Sequence, residues 1–232
     1  MEKVGIILAM KEELEPLRKY LQNEKKMTIF NLDFYCGTIN NINCVLVESG
    51  VGKVNAARTT QILIDNLKVD TIINIGVAGG VSDKLNIGDI VIGEKLVQHD
   101  FDITSFGHEK GYISGVGKYL NSDQNLINLV KENIKDKEFS KTNILEGVIA
   151  SGDIFCTDKK MAEKIHTKFD ALCVEMEGAS IAQVCYLCNI PFIVLRSISD
   201  TPNGNNNIDF NKFVNESSNI IAKLLVKILK ND

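Results

Sequence analysis

An arginine, two serines and a carboxylate stand at the end of one apolar run, Pro191-Phe-Ile-Val-Leu-Arg196-Ser-Ile-Ser199-Asp200. Five of the seven residues after Pro191 are apolar, the pattern of a strand buried on both faces. Such a strand should stay apolar to its tip, yet it carries Arg196 and finishes on Ser199-Asp200, before the turn-forming Thr201-Pro-Asn-Gly204. In open α/β sheets ligands bind at the carboxyl ends of strands, so an arginine inside the strand and an acid at its tip fit a site. A buried ion pair with a loop cap fits this stretch equally well.

The same kind of ending recurs. Met10…Glu13, Ser49–Lys53, Gly76–Gly80, Ser151–Cys156 and Glu175–Glu177 each follow a predicted strand with polar or glycine-rich residues. If those ends share one edge of a parallel sheet, the motifs converge on one pocket. Each also has a plain structural reading. Glu12 and Glu13 suit the first turn of a helix, Glu175 and Glu177 suit a solvated surface, and Gly76–Gly80 reads best as a tight turn. Ser49-Gly-Val-Gly-Lys53 lacks the residues of a Walker loop, and Gly76–Gly80 is not a dinucleotide fingerprint. His99-Asp100-Phe-Asp102 has metal-ligand residue types, but with three histidines and no helical or strand pairing among them no metal is expected.

The elements that position these residues are predicted as follows. Strands are expected at Val4–Leu8, Thr71–Ile75, Asp89–Leu96, Ile144–Ala150, Ala171–Val174 and from Phe192. A meander of short strands covers Thr28–Leu32, Phe34–Ile39 and Asn43–Glu48, with turns at Asn31-Leu-Asp and Asn40-Asn41. Helices are expected from Met10, with Leu14, Leu17 and Leu21 on one face, and at Val54–Leu67, Ser122–Lys135, Lys159–Phe169, Gly178–Cys188 and Phe210–Leu229. Pro16 lies within the first turns of its helix, where proline is tolerated. Asp102–Gly117 is a long loop with Phe106, Tyr112 and four glycines, too elaborate for an idle connection.

Composition narrows the class. The 232 residues are 44% hydrophobic and 24% charged, enough for the core of one large α/β domain, and no linker divides them. The net charge, 26 − 30 = −4, gives no basic field for nucleic acid. No apolar segment approaches the ~20 residues of a membrane span, and Lys11-Glu-Glu follows the first apolar run where a signal-peptide cleavage site would stand. A cytoplasmic protein is expected. The six cysteines sit mostly in apolar surroundings, and Cys185-Tyr-Leu-Cys188 reads as core thiols rather than a redox or zinc pair.

Taken as a set, Ala9-Met10-x-Glu12-Glu13, Ser49-Gly-Val-Gly-Lys53-Val54, Asn74-x-Gly-x-Ala-Gly-Gly80, His99-Asp100-x-Asp102, Ser151-Gly-Asp153-x-Phe155, Val174-Glu-Met-Glu177 and Arg196-x-Ile-Ser-Asp200 resemble the 5′-methylthioadenosine/S-adenosylhomocysteine nucleosidases of the nucleoside phosphorylase superfamily. The resemblance runs from Val4 to about Phe213, in family order. It implies a three-layer α/β/α sandwich with a central mixed, barrel-like sheet, and hydrolysis of the adenine–ribose bond without metal or organic cofactor. It implies Asp200 as the acid that protonates purine N7 and Glu13 as the base that activates water. Glu177 would bind the ribose hydroxyls and Met176 would pack on the sugar. Phe155 would stack on adenine, while the backbone of Cys156 reads the base edge. Met10, Val51 and Phe210 would line the ribose and 5′ pocket. Val77, Gly79, Arg196 and Ser199 complete the binding set, Arg196 positioning either Glu13 or the water. Ile103 and Phe106 match residues given by a neighbouring subunit, which implies a homodimer with composite sites.

Two positions depart from the commonest family pattern: Val77 stands where serine is frequent, and Cys156 where a plain aliphatic is frequent. The chemistry fits the residue types. Adenine leaves poorly as an anion and needs a proton donor. The sugar passes through an oxocarbenium-like state that carboxylates stabilise. Alternatives are a nucleosidase for aminodeoxyfutalosine or 5′-deoxyadenosine, a purine nucleoside phosphorylase, and an adenine-nucleoside-binding module without turnover.

Overall fold

The computed structural model describes residues 1–134, 139, 142–201 and 206–230, with side chains described outside 206–212. The chain starts with β1 (Lys3–Leu8), whose Val4, Ile6 and Leu8 face one core while Ile7 faces another. That division is the period-two alternation of a strand covered on both sides. Helix α1 (Lys11–Arg18) follows, then the meander β2 (Gln22–Ile29), β3 (Leu32–Ile39) and β4 (Ile42–Glu48). Helix α2 (Lys53–Asp65) leads to β5 (Thr71–Gly80) and β6 (Ile90–Gln98). The remainder is the short β7 (Leu120–Asn121), α3 (Gln124–Asn133), β8 (Ile144–Ser151), α4 (Lys159–Phe169), β9 (Ala171–Glu175), α5 (Gly178–Cys188), β10 (Phe192–Asp200) and α6 (Asn206–Ile228).

Strands β5, β10, β6, β8 and β9 close into a mixed barrel. β10 pairs parallel with β5 and antiparallel with β6, β8 pairs parallel with β6 and β9, and β9 returns antiparallel to β5. From β5 the sheet continues outward through β1, β4, β3 and β2. Leu14 and Leu17 of α1, Ile127 and Val130 of α3 and Ile221 and Leu225 of α6 fill one face. Leu63 of α2 and Ala179, Ala182 and Cys185 of α5 fill the other. Ile165 and Phe169 of α4 pack on the barrel against Val148 and Val174. The expected three-layer sandwich around a mixed, barrel-like sheet is the observed architecture.

Five local expectations are corrected. The glycine run Gly76–Gly80 is the second half of a ten-residue strand, not a tight turn. Only that extension lets Gly79 and Gly80 pair with Val174 and Cys173 and close the barrel. β2 begins at Gln22 rather than Thr28, because it is an exposed edge strand with no buried face to impose an apolar alternation. The hairpin after it turns at Phe30-Asn31, one residue earlier than expected, with φ 47° and 63°, the conformation that two-residue hairpins favour. Leu21 lies beyond the end of α1, and α6 starts at Asn206 rather than Phe210. All six cysteines are free thiols. Among the described residues no helix is long and apolar enough to cross a membrane.

Candidate active site

The ends of β1, β5, β9 and β10 meet at a cavity of about 490 Å³. Eleven of the expected residues line it: Met10, Glu13, Val51, Val77, Gly79, Phe155, Cys156, Met176, Glu177, Ser199 and Asp200.

Glu13 lies in the first turn of α1, and its carboxylate folds back over the start of its own helix. Oε2 accepts the N–H of Ala9 at 2.8 Å and of Met10 at 3.1 Å, and Oε1 accepts the N–H of Val77 at 2.9 Å. The helix-terminus reading of this acid therefore holds, but the same group is buried in the cavity wall. Burial raises its pKa, against the field of Arg196 and the three N–H donors. Room for it comes from Gly76, where a Cβ would lie 2.5 Å from Oε1. At Val77 the polar contribution is thus made by the backbone, whatever the side chain.

Three residues further along β5, a Cβ on Gly79 would lie 3.1 Å from Oδ2 of Asp200. At a strand rise of ~3.3 Å per residue, Glu13 and Asp200 abut β5 at points roughly 10 Å apart. Asp200 is 2% exposed and its Oδ1 accepts the Ser199 hydroxyl at 2.8 Å. The register of β10 against β5 shifts between Ile198 and Asp200, re-aiming the strand tip.

Glu177 precedes α5, and its Oε1 accepts the N–H of Gly52 at 2.7 Å, tying the Ser49–Lys53 joint to the cavity. Burial, and then the charge of Glu175, push its pKa up to about 8. The joint is braced from its other side. Lys53 donates its N–H to Asp153 at 2.8 Å, its ammonium meets Asp100 at 2.7 Å, and Asp100 accepts the N–H of Asp153 at 2.9 Å. The His99-Asp100 motif thus belongs to a loop brace. Among the described residues no group of three His, Cys, Asp or Glu is placed to hold a metal ion.

Three expected residues stand apart from this lining. Arg196 is buried behind it, donating to Asn74 Oδ1 at 2.5 Å and ion-paired with Glu175. Burial works against its charge, but Glu175, Glu177 and Glu13 carry its pKa above the ordinary arginine value. Ile103 and Phe106 lie around a short 3-10 turn, Thr104–Phe106, away from the cavity, with Phe106 80% exposed. The side chain of Phe210 lies outside the described residues. The lining also includes Ala9, Ala78, Ile154, Val174 and Glu175. Glu175 ends β9 two residues before Glu177, and both line the cavity.

This closed mixed barrel and its cavity lie within residues 3–230, which match the model of the phosphorylase superfamily. A 5′-methylthioadenosine/S-adenosylhomocysteine nucleosidase of Anoxybacillus flavithermus is 39% identical over 233 residues, covering 99% of this chain and 98% of that protein. The chain belongs to the 5′-methylthioadenosine/S-adenosylhomocysteine nucleosidase family. The structure of such a nucleosidase from S. pneumoniae with the transition-state inhibitor MT-ImmA superposes with a TM-score of 0.92 at 38% identity, covering 98% of each chain. The futalosine hydrolase of Helicobacter pylori superposes with a TM-score of 0.92 at 34% identity, covering 98% of this chain and 97% of that one.

Proposed function

We propose that this protein hydrolyses the N-glycosidic bond of 5′-methylthioadenosine and S-adenosylhomocysteine, releasing adenine and the 5-substituted ribose. The observation that carries the reading is the pair of buried carboxylates, Glu13 and Asp200, set apart along β5 in the wall of one apolar cavity. Asp200 protonates N7 of the purine and turns adenine into a neutral leaving group. Glu13, held by three N–H groups, takes a proton from the water that attacks the anomeric carbon. The two acids thus take the general-acid and general-base roles of single-displacement glycoside hydrolysis. Glu177 accepts the ribose hydroxyls, Met176 packs on the sugar and Phe155 stacks on the base, with the Cys156 backbone at the base edge. Met10 and Val51 surround the ribose and its 5′ group.

Water rather than phosphate is the nucleophile in this reading. A phosphate dianion calls for arginines or a nest of N–H groups. Among the described residues the lining contains no lysine or arginine, and the N–H groups beside Glu13 are already bonded to it. A second reading, hydrolysis of an adenine nucleoside with another 5′ substituent, is favoured by the likeness to the futalosine hydrolase.

The protein in this reading is a single-domain, cytoplasmic homodimer, Ile103 and Phe106 of each copy completing the other's pocket. The test is incubation with 5′-methylthioadenosine, S-adenosylhomocysteine, 5′-deoxyadenosine and aminodeoxyfutalosine, following free adenine. Release from the first two is expected. Release only from aminodeoxyfutalosine would select the second reading, and release from none would overturn both.

A further inference from the structure

The end of β9 and the N-cap of α5 bring two carboxylates to the site, Glu175 and Glu177, and the proposed reaction uses only Glu177. The other, Glu175, is buried and fully engaged. Its Oε2 accepts the N–H of Glu177 at 3.1 Å and of Gly178 at 2.8 Å, and also the guanidinium of Arg196. Its Oε1 accepts the hydroxyl of Ser151, whose oxygen accepts the N–H of Ala179 at 2.7 Å. The first N–H groups of α5 are therefore capped from the preceding strand; Glu177, at the N-cap position, makes no side-chain cap. The approach is close enough that a Cβ on Gly178 would lie 3.2 Å from Glu175 Oε2.

Arg196, the cation in this cluster, is held by Glu175, Asn74 and the carbonyl of Leu195, and its Nε has no hydrogen-bond partner among the described residues. It faces Glu13 from α1 and Glu177 from the start of α5. His99 at the end of β6 and Cys173 on β9 lie within the field of Glu175 as well. Low dielectric makes the balance of these charges matter more than it would in water.

We propose that Glu175 is a positioning residue for the reaction assigned above: by capping α5 and bonding Arg196 it holds Glu177 in place and sets how much of the arginine's positive charge reaches Glu13 and Glu177. The proposal rests on the nucleosidase reading. Its sign follows from charge. Glutamine at position 175 removes a negative neighbour of Glu177 and leaves Arg196 uncompensated, and both changes favour the ionised forms of Glu177 and Glu13. Removing the arginine as well withdraws the favouring cation.

The experiment compares wild type, Glu175→Gln and the double variant Glu175→Gln/Arg196→Met. It records kcat and KM against pH for adenine release, and carboxyl ¹³C titrations of glutamate-labelled protein. In Glu175→Gln the acid limb of kcat and the Glu13 and Glu177 titrations should move down by about one unit. In the double variant they should return to or above the wild-type values. A lower kcat at every pH, with limb and titrations unmoved, would make Glu175 merely structural, and an upward shift would reverse the sign; either overturns the proposal. If Glu175→Gln does not fold, the double variant decides, a limb below wild type overturning it, and failure of both to fold would make the pair a folding element only. Wild type that releases no adenine would overturn the nucleosidase reading alone, because the ¹³C titrations still decide this one.

Discussion

Glu13 is held ready for base chemistry by opposing forces on a single carboxylate. Burial pushes its pKa up, while Arg196 and three backbone N–H groups draw it back toward the charged form. A base with its pKa raised in this way is stronger than a surface glutamate. Glu13→Gln and Asp200→Asn should each lower adenine release by roughly a hundredfold or more, with an unchanged melting curve. Near-normal turnover in either folded variant would remove that residue from its role. Glu177 permits a separate check. With its pKa at about 8 it is largely protonated at neutral pH, and hydroxyls donated to its carboxylate favour ionisation. Ligand binding near pH 7 should therefore release protons, seen as a binding enthalpy that varies with the buffer's ionisation heat. A buffer-independent enthalpy would contradict it. Glu13, Glu177 and Asp200 were singled out by the resemblance to the nucleosidase family; their local patterns alone also fitted a helix terminus, a solvated surface and a loop cap. The place of Arg196 was not legible. β10 is buried on both faces, so its pattern carries no inside or outside, and the register shift before Asp200 breaks the parity that would link the two residues.

At the scale of elements, β5 organises the site. It pairs with β1, β10 and β9, and its glycines lie where the two acids need room. Gly76→Ala should leave the strand formed but press the Glu13 carboxylate out of place. A fall in kcat of about tenfold to a hundredfold, as misplacement of a reacting group produces, with melting temperature shifted only slightly, is the expected outcome; unchanged kcat would show that the approach is not needed. Glycine weakens a strand, so Gly76–Gly80 reads locally as a turn. The pairing with β9 that makes it a strand is a contact across about a hundred residues of chain, invisible to a local reading. β2 escaped for the opposite reason, being polar and exposed along its length. The helices were legible almost to the residue where a cap or an apolar face marks them: Lys159–Phe169 and Gly178–Cys188 are as expected, and Asp123 caps α3 by accepting the N–H groups of Asn125 and Leu126.

For the whole molecule, the exposed Phe106 on its long loop is an apolar residue without a place in its own chain's cavity. Light scattering at micromolar concentration should give a two-fold dimer, and Phe106→Ala should raise KM more than it lowers kcat; a fully active monomer would contradict the composite site. Stability should also depend on pH in a defined direction. The folded pKa of Glu177 lies above its ordinary 4.5, so its contribution to stability is complete below that value and is lost as the pH rises through about 8. The melting temperature should fall as the pH rises from about 4.5 to about 8, and Glu177→Gln should flatten that slope. The central claim is that water, activated by Glu13, attacks the anomeric carbon. Its most direct test is turnover of 5′-methylthioadenosine in ¹⁸O-labelled water, with and without phosphate. An undiminished rate without phosphate, with one ¹⁸O on the anomeric carbon of the released 5-methylthioribose, is the predicted result; a phosphate-dependent reaction yielding the unlabelled ribose 1-phosphate ester would contradict it.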